Sequence, residues 1–384
     1  MSAKKTTFKS ITNWLHLWLG LASGIILIIV ALTGSLLAFE AELEPVLFKH
    51  YHVVSPIGPR LSLDSVVTLA QNAYDGQKAS RIIVHAEANR SVEVRVGTKG
   101  ENNKGVKLVY VNPYNGQILY KGIYNKKFFQ QVRSLHRFLL LGGTGKIITG
   151  ISCVICFFLT ISGLVLWWPA NKNAIKQRFK IKWNASGKRL NWDLHAVTGF
   201  YISIFLLVVT FTGLMMSYDW LEDTILKLAD GKQAKEAKVK SPSKGKEIKP
   251  GIYQDILQQT NQLYGGDGFV GFAVPSKPSQ AITVTKERTD AITVSSDIAY
   301  FDAKNGSLIK VVPFEKLTLG AKIRKMVTPA HTGSLLGWPG KALALIVALF
   351  TASLPISGFL IWLGKRKKSK KQKHRHARLV RATA

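Results

Sequence analysis

Apolar positions along the chain follow two patterns. Four runs are continuously apolar, at residues 15–39, 147–168, 194–216 and 342–363, and none carries Asp, Glu, Lys or Arg in its interior. Each supplies the ~20 residues that a helix needs to cross a bilayer. Between runs one and two, and again between runs three and four, the pattern turns periodic. Residues 61–74 have apolar positions at helical spacing, and short β-rich runs follow at 81–85, 92–96, 108–111 and 118–120. Residues 253–263 are again helix-like, with strand-like runs at 282–285, 291–294, 298–301 and 308–311. Asn115-Gly116 and Asn305-Gly306 each supply a hairpin turn signal. Residues 232–249, rich in Lys, Ser and Pro, read as a mobile linker.

Composition sharpens this into a membrane protein. The 384 residues are 47% hydrophobic with a net charge of +31, too apolar for a disordered chain. An apolar chain that is also basic points to bilayer spans with basic flanks, and no nucleic-acid partner is expected. The basic residues cluster in the short segments. Lys4, Lys5 and Lys9 precede the first run, seven follow the second between Lys172 and Arg189, and ten fill the tail from Lys365 to Arg381, with no acid among them. Both termini and the short loop therefore face the cytoplasm, and the tail rests on anionic lipid. The long apolar first run and the lack of a clean cleavage site before Glu40 mark a retained anchor. The expected order is N-terminus 1–14, transmembrane helix 15–39, outer unit 40–135, an outer-side His segment with the second transmembrane helix 136–168, basic loop 169–192, transmembrane helix 193–217, outer unit 218–330, an outer-side His segment with the fourth transmembrane helix 331–363 and tail 364–384.

The chain also contains itself twice. With an offset of 195, His136 falls on His331, Gly142 on Gly337, Ile161-Ser162-Gly163 on Ile356-Ser357-Gly358 and Trp167 on Trp362. With an offset of 179, Leu15-His16 falls on Leu194-His195, Gly20 on Gly199 and Thr33-Gly34 on Thr212-Gly213. The repeating unit holds two spans, so both copies share one orientation, and a pseudo-two-fold axis along the membrane normal follows.

That symmetry makes two pairs from four histidines. His16 and His195 each open an inside-to-outside span; His136 and His331 each precede an outside-to-inside span. One pair is expected at each side of the membrane. Histidine in a membrane is costly and usually functional; the bland alternative is four interfacial side chains that cap helices. Zinc wants three or four protein ligands, and only Asp193 lies near. Two opposed imidazoles instead suit the axial positions of a haem iron, whose other ligands come from the macrocycle. Gly20 and Gly199, one turn after their histidines, would clear helix surface for it; Gly142 and Gly337 do the same or break the helix. Attachment would be non-covalent, because Cys153-Val-Ile-Cys156 is followed by Phe157 and lies mid-membrane, where two small packing residues are the better reading. His50-Tyr-His52 reads as a surface loop, His85 as a strand residue, and His374-Arg-His376 as part of the solvated tail.

The pattern Trp14-Leu-His16-Leu-Trp-Leu-Gly20, residues 136–168, Asp193-Leu-His195-Ala-Val-Thr-Gly199 and His331-Thr-Gly-Ser-Leu-Leu-Gly337 resembles the PepSY-associated transmembrane family over essentially the whole chain. The resemblance implies a membrane α-helical fold, with four transmembrane helices as a parallel internal repeat and two periplasmic α/β PepSY-like domains, in a bacterial inner membrane. It also implies two b-type haems held by His16, His195, His136 and His331, and ferric-siderophore reduction in the periplasm for iron uptake. No nicotinamide or flavin segment is visible, so a quinol or a separate cytoplasmic donor supplies electrons. Both outer segments carry more basic than acidic residues, which suits an anionic ligand. A binding or peptidase-regulating PepSY module without redox chemistry is the alternative. A transporter fits poorly, since the spans hold no interior charge.

Overall fold

The first half of the chain runs through helices α1 (Phe8–Ala38), α2 (Glu40–Leu47), α3 (Lys49–His52) and α4 (Leu63–Asn72), then strands β1 (Ala79–Val84), β2 (Val92–Val96), β3 (Lys107–Val111) and β4 (Ile118–Ile123), then α5 (Phe128–Phe138) and α6 (Gly142–Trp167). The second half runs through α7 (Ile175–Arg178), α8 (Gly187–Ser217), α9 (Asp219–Asp230), α10 (Ile252–Tyr264), strands β5 (Val270–Ala273), β6 (Ile282–Glu287), β7 (Ser296–Phe301) and β8 (Leu308–Val312), then α11 (Leu319–Thr332) and α12 (Gly337–Ala382). This computed structural model describes residues 7–97, 105–169, 175–231, 239–243, 249–265, 267–277, 279–288 and 296–382, with side chains to residue 367.

Four helices are long and apolar enough to cross a membrane: Phe8–Ala38, Gly142–Trp167, Gly187–Ser217 and Ser334–Lys367. At most 33% of any one apolar window is buried in the protein, so most of this apolar surface faces outward. A helix apolar all round in that way needs hydrocarbon around it. α1 packs on α6 and α12, and α8 packs on the same two. The four helices therefore form a square in which α1 and α8 face each other along a diagonal. Exposed Trp14, Trp18 and Trp168 ring one end, and Trp220 and Trp338 the other, the levels at which indole favours a bilayer interface.

The strands build a single eight-stranded sheet in the order β4-β3-β2-β1-β5-β6-β7-β8, antiparallel throughout. The two outer segments were expected as separate units; instead β1 pairs with β5, Arg81 to Ala273 through Val84 to Val270, and joins them. The physical reason is the edge: each four-stranded half would end in an open edge at β1 or β5, and pairing these two strands covers both, leaving only β4 and β8 as edges. α4 and α10 cover one face. Val66 and Val67 of α4, Ile252 and Ile256 of α10, and Ile82, Val94, Phe272 and Phe301 of the sheet share one core. Asp64 of α4 crosses the seam and accepts from the backbone N–H of Tyr253 and Gln254 at 3.2 and 2.8 Å, capping the first turn of α10. The expected Asn-Gly turns form: Gly116 and Gly306 lie at φ +76° and +73°, and each donates its N–H to the residue four before it.

Strand β5 was not anticipated, and the expected strand at 291–294 lies outside the described residues. Within the expected linker, Lys240 bridges to Gln280, and the Ser241 hydroxyl and Ser243 N–H donate to Asp302 at 2.8 and 2.9 Å. Residues 239–243 are thus fastened to the sheet, because Asp302 is fully buried and draws donors from both sides. The rest of that stretch, at 232–238 and 244–248, lies outside the described residues.

Candidate functional site

The helix square brings the predicted histidines together as two pairs. His16 of α1 and His195 of α8 face each other across the diagonal with ring centroids 6.3 Å apart and ring planes at 85°. His136 and His331 sit on the separate short helices α5 and α11, with centroids 6.2 Å apart and planes at 72°. These helices lay their imidazoles against α1 and α8, where His136 bonds Val30 and Thr33, and His331 bonds Val209 and Thr212. In each span 14 to 17 residues separate the inner histidine from the outer contact, about 21–26 Å along a helix.

Each imidazole is oriented by a hydrogen bond at Nδ1. His136 donates to Val30 O at 2.9 Å and His331 to Val209 O at 3.0 Å; a carbonyl only accepts, so Nδ1 carries the proton. The inner pair reaches the same tautomer through serines. Ser162 Oγ lies 2.8 Å from His16 Nδ1 and Ser357 Oγ 2.9 Å from His195 Nδ1. The serine hydroxyls give their own protons to the carbonyls of Leu159 and of Ser353 or Leu354, so they accept from the rings. All four histidines thus keep a lone pair on Nε2, the form in which imidazole ligates a metal.

The two pairs share one geometry: ring centres 6.3 and 6.2 Å apart, ring planes steeply crossed, and every Nδ1 already engaged by a neighbouring helix. Among the described residues no group of three or more His, Cys, Asp or Glu could hold a metal ion. Each pair therefore stands as two imidazoles alone, with Nε2 as the ring nitrogen left to engage a further group.

A cavity of about 670 Å³ surrounds the inner pair, within the size range of cofactor pockets. His16 and His195 line it, and so do Gly20 and Gly199, where an added Cβ would touch Leu159 at 3.9 Å and Leu354 at 3.7 Å. Gly142 and Gly337 do not flank a histidine; at φ +58° and +63° they open α6 and α12, so helix breaking is their role.

Other sequence candidates separate from the pairs. Asp193 is fully buried and accepts from Lys182 N–H and Arg189, so it fastens the loop before α8. His50 is exposed, but His52 is buried, edge-on to the Tyr110 ring with centroids 4.7 Å apart and 3.5 Å from Glu44, and so is no surface-loop residue. His85 is half-buried beside Phe269, and burial together with the Arg90 charge pushes it down to about 4. The side chains of His374 and His376 lie outside the described residues. Cys153 donates to Thr210 O at 3.4 Å and Cys156 packs with Leu27 and Leu206; both are free thiols. The hydroxyl-glycine steps that orient the rings were visible only as matches in the repeat: Ser162-Gly163 with Ser357-Gly358, and Thr33-Gly34 with Thr212-Gly213.

The family model described as PepSY-associated TM region matches residues 13–365. No curated protein sequence matches the chain.

Proposed function

The chain belongs to the PepSY-associated TM region family, and from that premise we propose a di-haem b oxidoreductase of the bacterial inner membrane that reduces a periplasmic ferric siderophore or other ferric chelate. The observation that carries the reading is the recurrence, at two depths, of two Nδ1-protonated imidazoles set about 6.3 Å apart. When bound, the haems supply one-electron redox chemistry at both levels of a bilayer core about 30 Å thick. The protein's own residues do the rest. His16 and His195 hold the cytoplasmic-side group, and His136 and His331 the periplasmic-side one. Ser162, Ser357, Thr33 and Thr212 fix the ring tautomers, and the apolar helix square keeps water out. The basic segments support an orientation with both termini inside and the sheet outside. One electron turns Fe(III) into Fe(II), which hard oxygen donors hold less tightly, and iron leaves the chelate for uptake. A quinol or a cytoplasmic protein supplies the electron. The two halves read as a parallel internal repeat, with one PepSY-like unit in each.

The test is the absorption spectrum of detergent-purified protein, oxidised and dithionite-reduced, with a pyridine haemochrome count. Two b-type haems per chain are expected, and one in His16→Ala or His331→Ala. Haem-free protein from cells well supplied with haem and iron would sink the reading and leave a membrane-anchored PepSY binding module.

A further inference from the structure

The cavity around His16 and His195 is lopsided in charge. Its deep end is closed by Leu27, Leu206 and Cys156, while Lys9, Arg178 and Lys365 line it at the end away from the sheet. Among the described residues no acidic side chain lines it. Lys9 stands seven residues before His16, and Lys365 seven after Gly358, against whose Cα the His195 ring rests. Seven residues are two helical turns, about 10 Å. Arg178 is held nearby: its carbonyl accepts from Trp167 Nε1 at 3.3 Å and its guanidinium lies over Trp192 at 5.2 Å. Lys9 donates one proton to Trp168 O at 3.0 Å, which leaves the ammonium two more donors.

We propose that Lys9, Arg178 and Lys365 bind the two carboxylates of a tetrapyrrole seated between His16 and His195, and so fix its orientation with the acidic edge toward the cytoplasm. This rests on the di-haem reading. A flat apolar body with anions along one edge fits an apolar slot with cations at one end in a single sense. The carboxylates gain charge-assisted hydrogen bonds at a partly desolvated site, where such bonds are strongest. An anionic lipid phosphate shares this chemistry, so the test must separate the two.

Full-length protein carrying His136→Ala, purified without haem, isolates the inner site. It is titrated with ferric protoporphyrin IX and with its dimethyl ester, following the absorption band of the bis-imidazole complex. The dicarboxylate is expected to bind roughly tenfold tighter than the ester. The Lys9→Gln, Arg178→Gln, Lys365→Gln triple variant is expected to lose that preference and to keep both its ester binding and its band position, which also shows that it folds. Equal affinities in the parent, or a preference that survives in the triple variant, would overturn the assignment. A triple variant that loses affinity for phosphatidylglycerol nanodiscs but keeps the haem preference would assign the cations to lipid and overturn it as well. A parent that binds neither porphyrin would overturn this proposal and the di-haem reading together.

Discussion

A methyl group added at Gly34 meets His136 Cε1 at 3.0 Å, and at Gly213 it meets His331 Cε1 at 3.3 Å. At Gly163 and Gly358 the corresponding contacts are to His16 and His195 at 3.5 and 3.4 Å. Each imidazole thus lies against a glycine while the preceding Ser or Thr holds its Nδ1. Gly34→Val is expected to remove the outer haem alone and Gly163→Val the inner one, each read as one haem per chain instead of two; two haems retained in both would refute the arrangement. The ring planes carry a second expectation. Crossed imidazoles, here at 85° and 72°, leave the two π-type d orbitals of a ferric iron close in energy. Frozen oxidised protein should therefore give highly anisotropic low-spin EPR signals from both sites, and a rhombic spectrum would contradict the ring geometry. His16 and His195 were legible in the sequence because an imidazole in an apolar run stands out, and His136 and His331, which lie outside such runs, because the repeat paired them. Their hydroxyl partners were not. Serine and threonine in spans routinely bond the carbonyl four residues back, as Thr12 and Ser23 do here, so the type alone marks nothing.

Strand β5 shows where element-level reading stopped. Its four residues, Val-Gly-Phe-Ala, are too few for periodicity to register, and glycine argues against a strand. Yet β5 joins the two halves, so missing it turned one sheet into two units. The long spans, α4, α10 and both Asn-Gly turns were legible because length, amphipathic period and turn chemistry agreed there. The face of the sheet opposite α4 carries a polar cluster that no pattern foretold. Tyr110 donates to Glu93 at 2.7 Å, Lys127 donates to Tyr110 at 2.7 Å, and Lys127 pairs with Glu44. Lys127 directly precedes α5, so this cluster ties the sheet to the helix that carries His136. Burial works to raise the Glu93 carboxyl, but Arg95, Lys127 and the Tyr110 hydroxyl hold it below the usual range. A lowered folded value means that its stabilisation is present above about pH 4.3 and is lost as pH falls through the lowered value. Glu93→Gln should therefore destabilise the protein by about 3 kcal/mol at pH 7, with the gap to the parent shrinking below pH 4. Melting curves at both pH values test this, and parallel losses at the two would count against it.

At the scale of the whole molecule, two pairs stacked along one helix square predict an electron path across the bilayer. In vesicles loaded with reductant and given an external ferric chelate, the intact protein should form external Fe(II). Loss of either pair should stop it, while His16→Ala leaves the outer haem reducible from the sheet side. Fe(II) formation at the parent's rate in both His16→Ala and His331→Ala would refute transmembrane conduction. The sequence carried the spans, their basic flanks and, through the repeat, the pairing of α1 with α8 at His16 and His195, but not the β1–β5 seam that joins the outer segments. One consequence of the ring contacts remains. His16 leans on Ser162 and His136 on Thr33, all before residue 168, while His195 leans on Ser357 and His331 on Thr212, all after residue 187. Each half of the chain thus sets the orientation of its own imidazoles at both depths, and the halves meet at the histidine pairs, along the β1–β5 seam and between the spans. Neither half needs the other to aim its rings, only to complete each pair.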